Sequence, residues 1–463
     1  MDRLPSERRF KSVLIVCVSL LALGGGANIA VAAPKSEALD VASTFKLPAH
    51  PFWMRYGDPQ LDQLIADAIN TSPSLAVAEA RLRKARASFD GSKGADVPAL
   101  SFLGTAQKLN SSGGPESDGE ESGLALDELG VAGLNFGWEL DFWGKNRAAV
   151  AGASSQARAS EADMAQAGLI LTTSLATAYI DLARLYDERD LALRAVEVRG
   201  DSAGLVQQKF DNGLTNRAEL QLANAGSATA RADVSAIDEQ IAANRNLIAA
   251  LAGRDPDYGQ SLTRPALKGP SNFTLPERID LDLIGRRPDV VAAKWRAEAS
   301  TQGVKRAKAA FYPNVNLMAF VGKVWLGDLS VEGTTNSNIG PAITLPLFDG
   351  GKRKSDLRGA KADKDAAVAD YNAAIINAMH GVADVVASER ALEGRLKDSQ
   401  LALDGFEEAY RLTKLRYDGG LSNYTALLQA EQSLLTQRKT VTDLKSRALS
   451  LDVALVRALG GDY

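Results

Sequence analysis

Proline is absent from residues 116–255 and from 347–463 of this 463-residue chain, so all 16 of its prolines fall outside two long stretches. Both stretches are rich in Ala, Leu, Glu, Gln, Arg and Lys, which cost least in a helix, and neither contains the ring that breaks one. A glycine turn of one kind interrupts each, at Asp211-Asn-Gly-Leu214 and Asp418-Gly-Gly-Leu421. The expectation is helix, tight turn, helix, twice over. A helix unbroken from near Ala148 to Phe210 would run roughly 90 Å at ~1.5 Å per residue, too long for a compact globule. Its packing partners are other helices. Leu175, Tyr179, Leu182, Tyr186, Leu193 and Val196 follow a 4-3-4-3 spacing with a break at Arg189. Val382, Val385, Leu392, Leu396, Leu403, Phe406, Tyr410 and Tyr417 do the same with breaks at Glu389, Ser399 and Thr413. Such spacing reads as a coiled-coil seam.

The two stretches belong to a duplication. Pro73-Ser-Leu-Ala-Val-Ala-Glu-Ala-Arg81 matches Pro288-Asp-Val-Val-Ala-Ala-Lys-Trp-Arg296, and the same register pairs Pro98 with Pro313 without a gap. Lys209-Phe-Asp-Asn-Gly-Leu-Thr-Asn216 matches Arg416-Tyr-Asp-Gly-Gly-Leu-Ser-Asn423, and Ile248-Ala-Ala-Leu-Ala-Gly253 resembles Val456-Arg-Ala-Leu-Gly-Gly461. The landmarks keep their order, as a tandem repeat does.

Each helical stretch is preceded by two extended segments around a polar loop. They fall near Ala99 to Leu109 and Leu129 to Phe142, then Asn314 to Trp325 and Asn338 to Phe348. Leu134, Phe136, Trp138 and Leu140 alternate with Asn135, Gly137, Glu139 and Asp141; Ile339, Ile343, Leu345 and Leu347 alternate with Gly340, Ala342 and Thr344. Alternation over about 10 residues suits a tilted barrel strand, and the acidic loops 110–122 and 326–338 suit its exposed ends. Four strands cannot close a barrel. In hydrocarbon an open edge leaves backbone groups without partners, so the chain must pool its strands with other copies. Two soluble hairpins packed on a helical body are the other reading of these segments.

Composition narrows the function. A formal net charge of -4 with 24% charged residues offers no basic surface for nucleic acid. One cysteine, Cys17, and two histidines, His50 and His380, leave little for disulfide, metal or acid-base chemistry. No HExxH, CxxC, GxSxG or GxxxxGK[ST] pattern is present, so neither an enzyme nor a cofactor is expected. Arg3, Arg8, Arg9 and Lys11 precede the apolar run Val13 to Leu23 and then Ala30-Val31-Ala32, the layout of an export signal cut after Ala32 or Ala33. A membrane anchor is the competing reading, but the run is shorter than the ~20 residues a spanning helix needs. Cys17 sits inside the run, so no lipid anchor is expected there.

Several motifs together resemble the outer-membrane efflux proteins, a TolC-like family of outer-membrane factors, in its NodT-like branch. They are Phe52-Trp53 with Asp58-Pro59-Gln-Leu-Asp62, Trp138-Glu-Leu-Asp-Phe-Trp-Gly-Lys145, Arg286-Arg-Pro-Asp289, Leu345-Pro-Leu-Phe-Asp-Gly-Gly-Lys352 and the two glycine turns. The resemblance implies an α+β membrane protein: a homotrimeric barrel-tunnel in which each chain gives four strands to a twelve-stranded outer-membrane β-barrel. Long coiled-coil helices would continue it as a periplasmic cylinder. It implies an exit duct that passively conducts what an inner-membrane RND-type transporter and a periplasmic adaptor deliver. The chain then divides into a signal peptide (1–33), a first repeat (34–253), an equatorial connector (254–287) and a second repeat (288–463).

The resemblance also assigns sites. The turns Gly213-Leu214-Thr215 and Gly420-Leu421-Ser422 match the tips on which the adaptor docks, although the same residues also suffice as plain turns. Tyr417 matches an aromatic that holds the closed helix pairs together at the periplasmic aperture. Family members often place an aspartate after the second tip, where this chain reads Leu427-Leu428-Gln429-Ala430. A ring of neutral Gln429 amides would attract cations only weakly. A soluble periplasmic coiled-coil adaptor or scaffold is the alternative from another class.

Overall fold

The computed structural model describes residues 51–108, 128–269, 285–327 and 333–461. The expected signal peptide with Cys17, His50, the loop 110–122, residues 328–332 of the second loop and residues 270–284 of the connector lie outside the described residues.

A short 3₁₀ turn, Phe52–Tyr56, leads into α1 (Pro59–Thr71) and α2 (Pro73–Lys93). Strands β1 (Ala99–Lys108) and β2 (Glu128–Leu140) follow, then α3 (Lys145–Asp211), α4 (Arg217–Leu251) and the single turn α5 (Pro256–Gln260). The second half runs α6 (Pro288–Ala309), β3 (Asn314–Gly327), β4 (Thr334–Thr344), α7 (Lys352–Asp418) and α8 (Tyr424–Leu459). The order helix, strand, strand, long helix, helix thus occurs twice, and α3 and α7 are each 67 residues long. None of the described helices is long and apolar enough to cross a membrane.

The chain forms two compact units, one from residues 87–153 and 301–362, the other from 51–86, 154–300 and 363–461. The first contains an antiparallel meander in the order β1-β2-β3-β4. Register gives it one apolar face. Leu100, Phe136, Ala319 and Ile339 lie in one row across all four strands, and Leu140, Val315 and Ile343 in another. Ser101, Asn135, Phe320 and Asn338 share a row on the opposite face, so the pleat separates a mostly apolar side from a mostly polar one. On that polar side Gly133 pairs with Gly322, and a Cβ added to either would come within 2.8 Å of the Phe320 ring. The glycines leave room for the ring to lie flat against the sheet.

Two expected boundaries move. β4 starts at Thr334, four residues before the apolar alternation, because Thr334 to Ser337 pair with Val324 to Val321 despite their polarity. It stops at Thr344, short of Leu345 and Leu347, where Pro346 lacks a donor and no strand lies alongside among the described residues.

The family motifs in this unit are helix starts. Gly144 takes φ 74° and Asp141 Oδ2 accepts from the Arg147 N–H at 2.9 Å, which begins α3. Asp349 Oδ2 likewise accepts from Arg353 N at 3.1 Å to begin α7 after Gly350 and Gly351, both with positive φ. Trp143 stacks on Tyr312 at 4.6 Å and donates to the Pro313 carbonyl at 2.9 Å.

The second unit is helical, and its main core joins Phe52, Trp53, Tyr56, Leu61, Leu64 and Ile65 to Leu175, Tyr179 and Leu182 of α3, Ile248 of α4 and Val456 of α8. Each such side chain contributes about 1.5–3 kcal/mol of transfer free energy. Asp58 fastens the entry of α1. It accepts from Gln60 N at 3.0 Å, the Tyr179 hydroxyl at 2.8 Å and Ala266 N at 2.7 Å. Burial and then the Asp58 carboxylate hold the Tyr179 hydroxyl well above the usual phenol range. The seam is narrower than the spacing implies: Leu175, Tyr179 and Leu182 are buried, whereas Leu193 and Phe406 are exposed. Arg287 pairs with Asp289 at 2.7 Å and donates to the Ala458 carbonyl at 2.6 Å, which accounts for the Arg-Arg-Pro-Asp motif as a clasp on the end of α8.

Candidate functional site

The two glycine turns close in the same way. In the first, Gly213 has φ 71° and donates to Phe210 O at 2.9 Å, while Leu214 N reaches back to Lys209 O at 2.8 Å. In the second, Gly420 has φ 75°, donates to Tyr417 O at 3.0 Å, and Leu421 N reaches Arg416 O at 2.7 Å. These pairs satisfy the last carbonyls of α3 and α7, and the left-handed residue between them favours glycine. A Cβ at either glycine would meet nothing within 4 Å, so backbone conformation rather than space selects the residue. Asn216 and Asn423 then cap α4 and α8, each accepting from the third N–H onward at 2.9 Å. Thr215 donates to Glu219, and Ser422 is half-buried.

A hydrophobic residue in the position of Leu214 or Leu421 commonly folds back onto the helix it ends. Here the two side chains remain 76% and 75% exposed, so each turn presents one leucine to solvent.

Above the turns Tyr417 is buried in a cluster with Val206, Leu220, Ala223, Tyr424 and Leu427. Its ring lies 5.9 Å from that of Tyr424, and Lys209 Nζ sits 4.0 Å over it. The structure thus gathers residues of both helical hairpins around Tyr417. Gln429, two residues beyond Leu427 on α8, is exposed.

A second set of contacts escaped sequence reasoning. Arg199 and Glu431 are only 6% and 5% exposed and meet at 2.9 Å, while Arg199 also donates to Gln432 Oε1 at 3.0 Å. This ion pair ties α3 to α8 across 232 residues of sequence. A charge buried this deeply is tolerated because it is paired. Farther along the same two helices, Arg184 contacts Glu188 and Asp443, and Lys439 lies 3.5 Å from Glu188. Burial, followed by the hydrogen bond and charge of Glu188, raises the Asp443 carboxyl above its usual range. No local pattern could have announced either contact, since each residue looks like any other charge on a long helix. The breaks in the heptad spacing were a partial signal: Arg189 pairs with Asp238 of α4, and the Ser399 carbonyl accepts from Gln437 of α8.

The family model described as "Outer membrane efflux protein" matches residues 64–254 and 282–461. The fusaric acid resistance protein FusA of Burkholderia cepacia is 31% identical over 77% of this chain and 70% of its own length. The multidrug resistance outer membrane protein MdtQ of Escherichia coli O157:H7 is 28% identical over 93% and 92%. Among solved structures, the outer membrane protein VceC of Vibrio cholerae is similar with a TM-score of 0.81 and 39% identity, covering 90% of this chain and 99% of that one.

Proposed function

The chain belongs to the outer membrane efflux protein family, whose members are outer-membrane channels reaching into the periplasm, and from that membership we propose that it is the exit duct of a tripartite RND-type efflux system. The observation that carries the reading is the four-stranded sheet with one apolar face and two open edges, joined in each repeat to a 67-residue helix. Such a sheet is stable in lipid only when its edges are paired. Three chains pooling their strands, as TolC-like channels do, supply twelve. The repeats 34–253 and 288–463 then each give a strand hairpin and a helical hairpin, and the described part of the connector, residues 254–269, packs with residues 51–71 through Tyr258, Thr263, Ala266 and Lys268.

In this reading the lumen does no chemistry. Solutes move down it passively, and the inner-membrane pump supplies energy and selection. The names of FusA and MdtQ favour small organic toxicants as cargo. Access is controlled by splaying the helical hairpins around Tyr417. Leu214 and Leu421, exposed at matching turns, are the residues offered to the adaptor.

Deleting the gene while keeping the adaptor and pump tests the function. Organic toxicants should accumulate, and the protein should run as a heat-modifiable trimer from outer membranes; a freely soluble monomer would sink the reading. Leu214→Asp with Leu421→Asp should abolish co-purification of the adaptor without dissolving the trimer. Retained co-purification would remove the tips from the docking role. At the aperture, Gln429→Asp should make planar-bilayer conductance more sensitive to multivalent cations than the wild type, and an already sensitive wild type traced to Gln429 would overturn the neutral ring.

A further inference from the structure

The internal duplication gives every charge at the base of one hairpin a counterpart at the base of the other. Matching positions differ by 215 residues up to the first strand of each hairpin, as in Pro73 and Pro288, and by 207 after the second, as in Lys145 and Lys352. By this correspondence the two bases, where helices enter and leave the sheet, differ in charge. Residues 305–308 and 349–361, at the end of α6 and the start of α7, hold eight basic residues and two acidic ones. The matching residues 90–93 and 142–154 hold three basic and one acidic. The chain as a whole is formally negative at -4, so the excess is local.

Pairing separates the two bases further. All three cations of the first have a carboxylate: Lys93 meets Asp90 at 2.9 Å, Lys145 meets Glu139 at 2.8 Å and Arg147 meets Asp141 at 3.4 Å. In the second, Arg353 takes Asp349 at 2.6 Å and Lys352 takes Asp356 at 2.9 Å, which uses both acids. Lys305, Arg306, Lys308, Lys354, Arg358 and Lys361 are exposed and have no ion pair or hydrogen bond among the described residues. The Arg353 guanidinium also lies 5.6 Å from the centre of the Phe311 ring, which holds the start of α7 beside the end of α6. Lys354, Arg358 and Lys361 follow an i, i+4, i+7 spacing and share one side of α7, next to the half-buried Arg353, Leu357 and Ala360. Lys354, Ser355 and Arg358 line an open hollow of about 720 Å³.

The level of these cations is marked by aromatic residues. Phe142, Trp143, Tyr312 and Phe348 are all exposed where strands give way to helices, the place of an aromatic girdle at the edge of the hydrocarbon. Lys308 comes four residues before Tyr312, and Lys354 six after Phe348. From Lys354 to Lys361 the helix rises about 10 Å, beginning in the headgroup layer, which is ~5–7 Å deep on each side of a bilayer. Each Cα–Cβ bond of a helix tilts toward its N-terminus, so the side chains of α7 lean back toward the sheet. Their long stems carry the charge farther in the same direction.

We propose that this basic patch, centred on Lys354, Arg358 and Lys361 with Lys305, Arg306 and Lys308 beside it, binds the headgroups of anionic phospholipids in the leaflet facing the periplasm. The proposal rests on the sheet being the membrane-spanning part of the duct described above. It adds a lipid partner and assigns that partner to the second repeat. Cations without carboxylate partners are free to make charge-assisted bonds to phosphate oxygens. Near a negative membrane surface each adds attraction that salt screens. At the base of the first repeat the same attraction is already spent on Asp90, Glu139 and Asp141.

Lipid retention by the purified trimer tests the patch. The trimer in non-ionic detergent is titrated with phosphatidylglycerol or with phosphatidylcholine, and native mass spectrometry counts the lipids retained. The wild type should favour phosphatidylglycerol by roughly tenfold or more, and the preference should shrink as salt rises. Lys354→Gln with Arg358→Gln and Lys361→Gln should lose most of it. Arg390→Gln with Arg395→Gln and Lys397→Gln removes as many exposed charges from the same helix, roughly 40 Å or more farther along, and should keep it. Lys354→Arg with Lys361→Arg conserves the charge and should keep it too. The single change Arg358→Gln, which should lower the preference in part, covers the case in which the triple variant does not assemble. Equal retention of the two lipids by the wild type would overturn the proposal. Inorganic phosphate that displaces phosphatidylglycerol better than chloride does at equal ionic strength would make the patch a site for free anions and overturn the lipid as its partner. A triple variant with undiminished lipid preference but altered cation-to-anion selectivity in planar bilayers would place the cations in the lumen and overturn the proposal as well. A full-length chain recovered only as a freely soluble monomer would overturn the duct itself, before any lipid is added.

Discussion

Helices α3 and α7 are the same length, end in the same turn and occupy the same place in their repeats, yet they are packed very differently. Leu175, Tyr179, Ile180 and Leu182 of α3 are completely buried. In α7 only Ala378, Val382, Leu392 and Tyr417 are buried, while Ile376, Met379, Leu401, Leu412 and Leu415 are exposed. Local propensity makes the two helices alike, because it depends on which residues are present and on the absence of proline. Packing depends on what each repeat is given to pack against. The cover on α3 comes from Phe52 to Ile69, whereas the buried residues of α7 pack against Val290 of α6 and Leu444, Leu451 and Leu455 of α8. A trimer is one source of cover for the apolar stripe of α7.

Polar contacts break the comparison most sharply. Arg199→Ala in α3 strands the Glu431 carboxylate in a buried site and should cost about 3–5 kcal/mol, while Arg199→Met combined with Glu431→Leu should cost much less because no charge is left alone. The matching change on α7, Glu407→Ala, removes a contact with Arg438 that water already screens and should cost about 0–1 kcal/mol. Denaturation of the detergent-solubilised protein measures all three. A single Arg199 variant as stable as the double one would show that the pair carries no such weight.

Leucine truncations sharpen the same contrast. Leu175→Ala should cost about 2–5 kcal/mol through lost burial and a cavity. Leu401→Ala should stay within roughly 0.5 kcal/mol in the isolated chain. The informative arm is the trimer: if assembly covers α7, Leu401→Ala lowers the temperature at which trimers dissociate while leaving the monomer unchanged. Equal costs in the monomer would erase the distinction between the two helices.

Much of this contrast lay beyond the reach of the sequence, for physical reasons. The helices, the turns and the central part of the sheet were legible, because proline, glycine and alternation act through neighbours. Leu134 to Leu140 alternate cleanly and form β2; Gly213 and Gly420 stand where the chain needs a left-handed residue. The start of β4 was not legible, since Thr334 to Ser337 are polar and are held only by pairing with β3. The heptad spacing correctly placed Leu175 and Leu392 in cores, yet gave the same weight to Leu193 and Phe406, which remain exposed among the described residues. At the candidate site the turns and Tyr417 were readable from short motifs. The Arg199–Glu431 tie was not, because what sets it apart is burial, and burial is decided by a partner far away in the chain.

Acidity should act on the carboxyls Asp443 and Glu408 by a smaller effect, and in opposite directions. On the α3 side, burial and Glu188 raise the Asp443 carboxyl above its ordinary value of 3.8, while Arg184 and Lys439 face the same pair. A carboxyl raised in the folded state binds its proton more tightly there than in the unfolded chain, so its ionisation opposes folding at neutral pH. That opposition is relieved as pH falls through the raised value, and is gone below 3.8. On α7, Arg411 holds the Glu408 carboxyl below its ordinary value of 4.5. Its contribution is present above 4.5 and is lost as pH falls through the lowered value. Mild acid, above the point where Glu408 begins to protonate, should therefore strengthen the α3–α8 contact and leave the Glu408–Arg411 pair as it was, while Glu389 of α7, raised by burial and then by Asp452, is relieved in the same direction as Asp443. Melting temperature followed from about pH 7 to about pH 5, near the ordinary carboxylate range, should rise in the wild type; Asp443→Asn should reduce that rise, Glu389 and Asp62 supplying the remainder, while Glu408→Gln leaves it intact. A rise undiminished by Asp443→Asn would place the acid response elsewhere in the molecule.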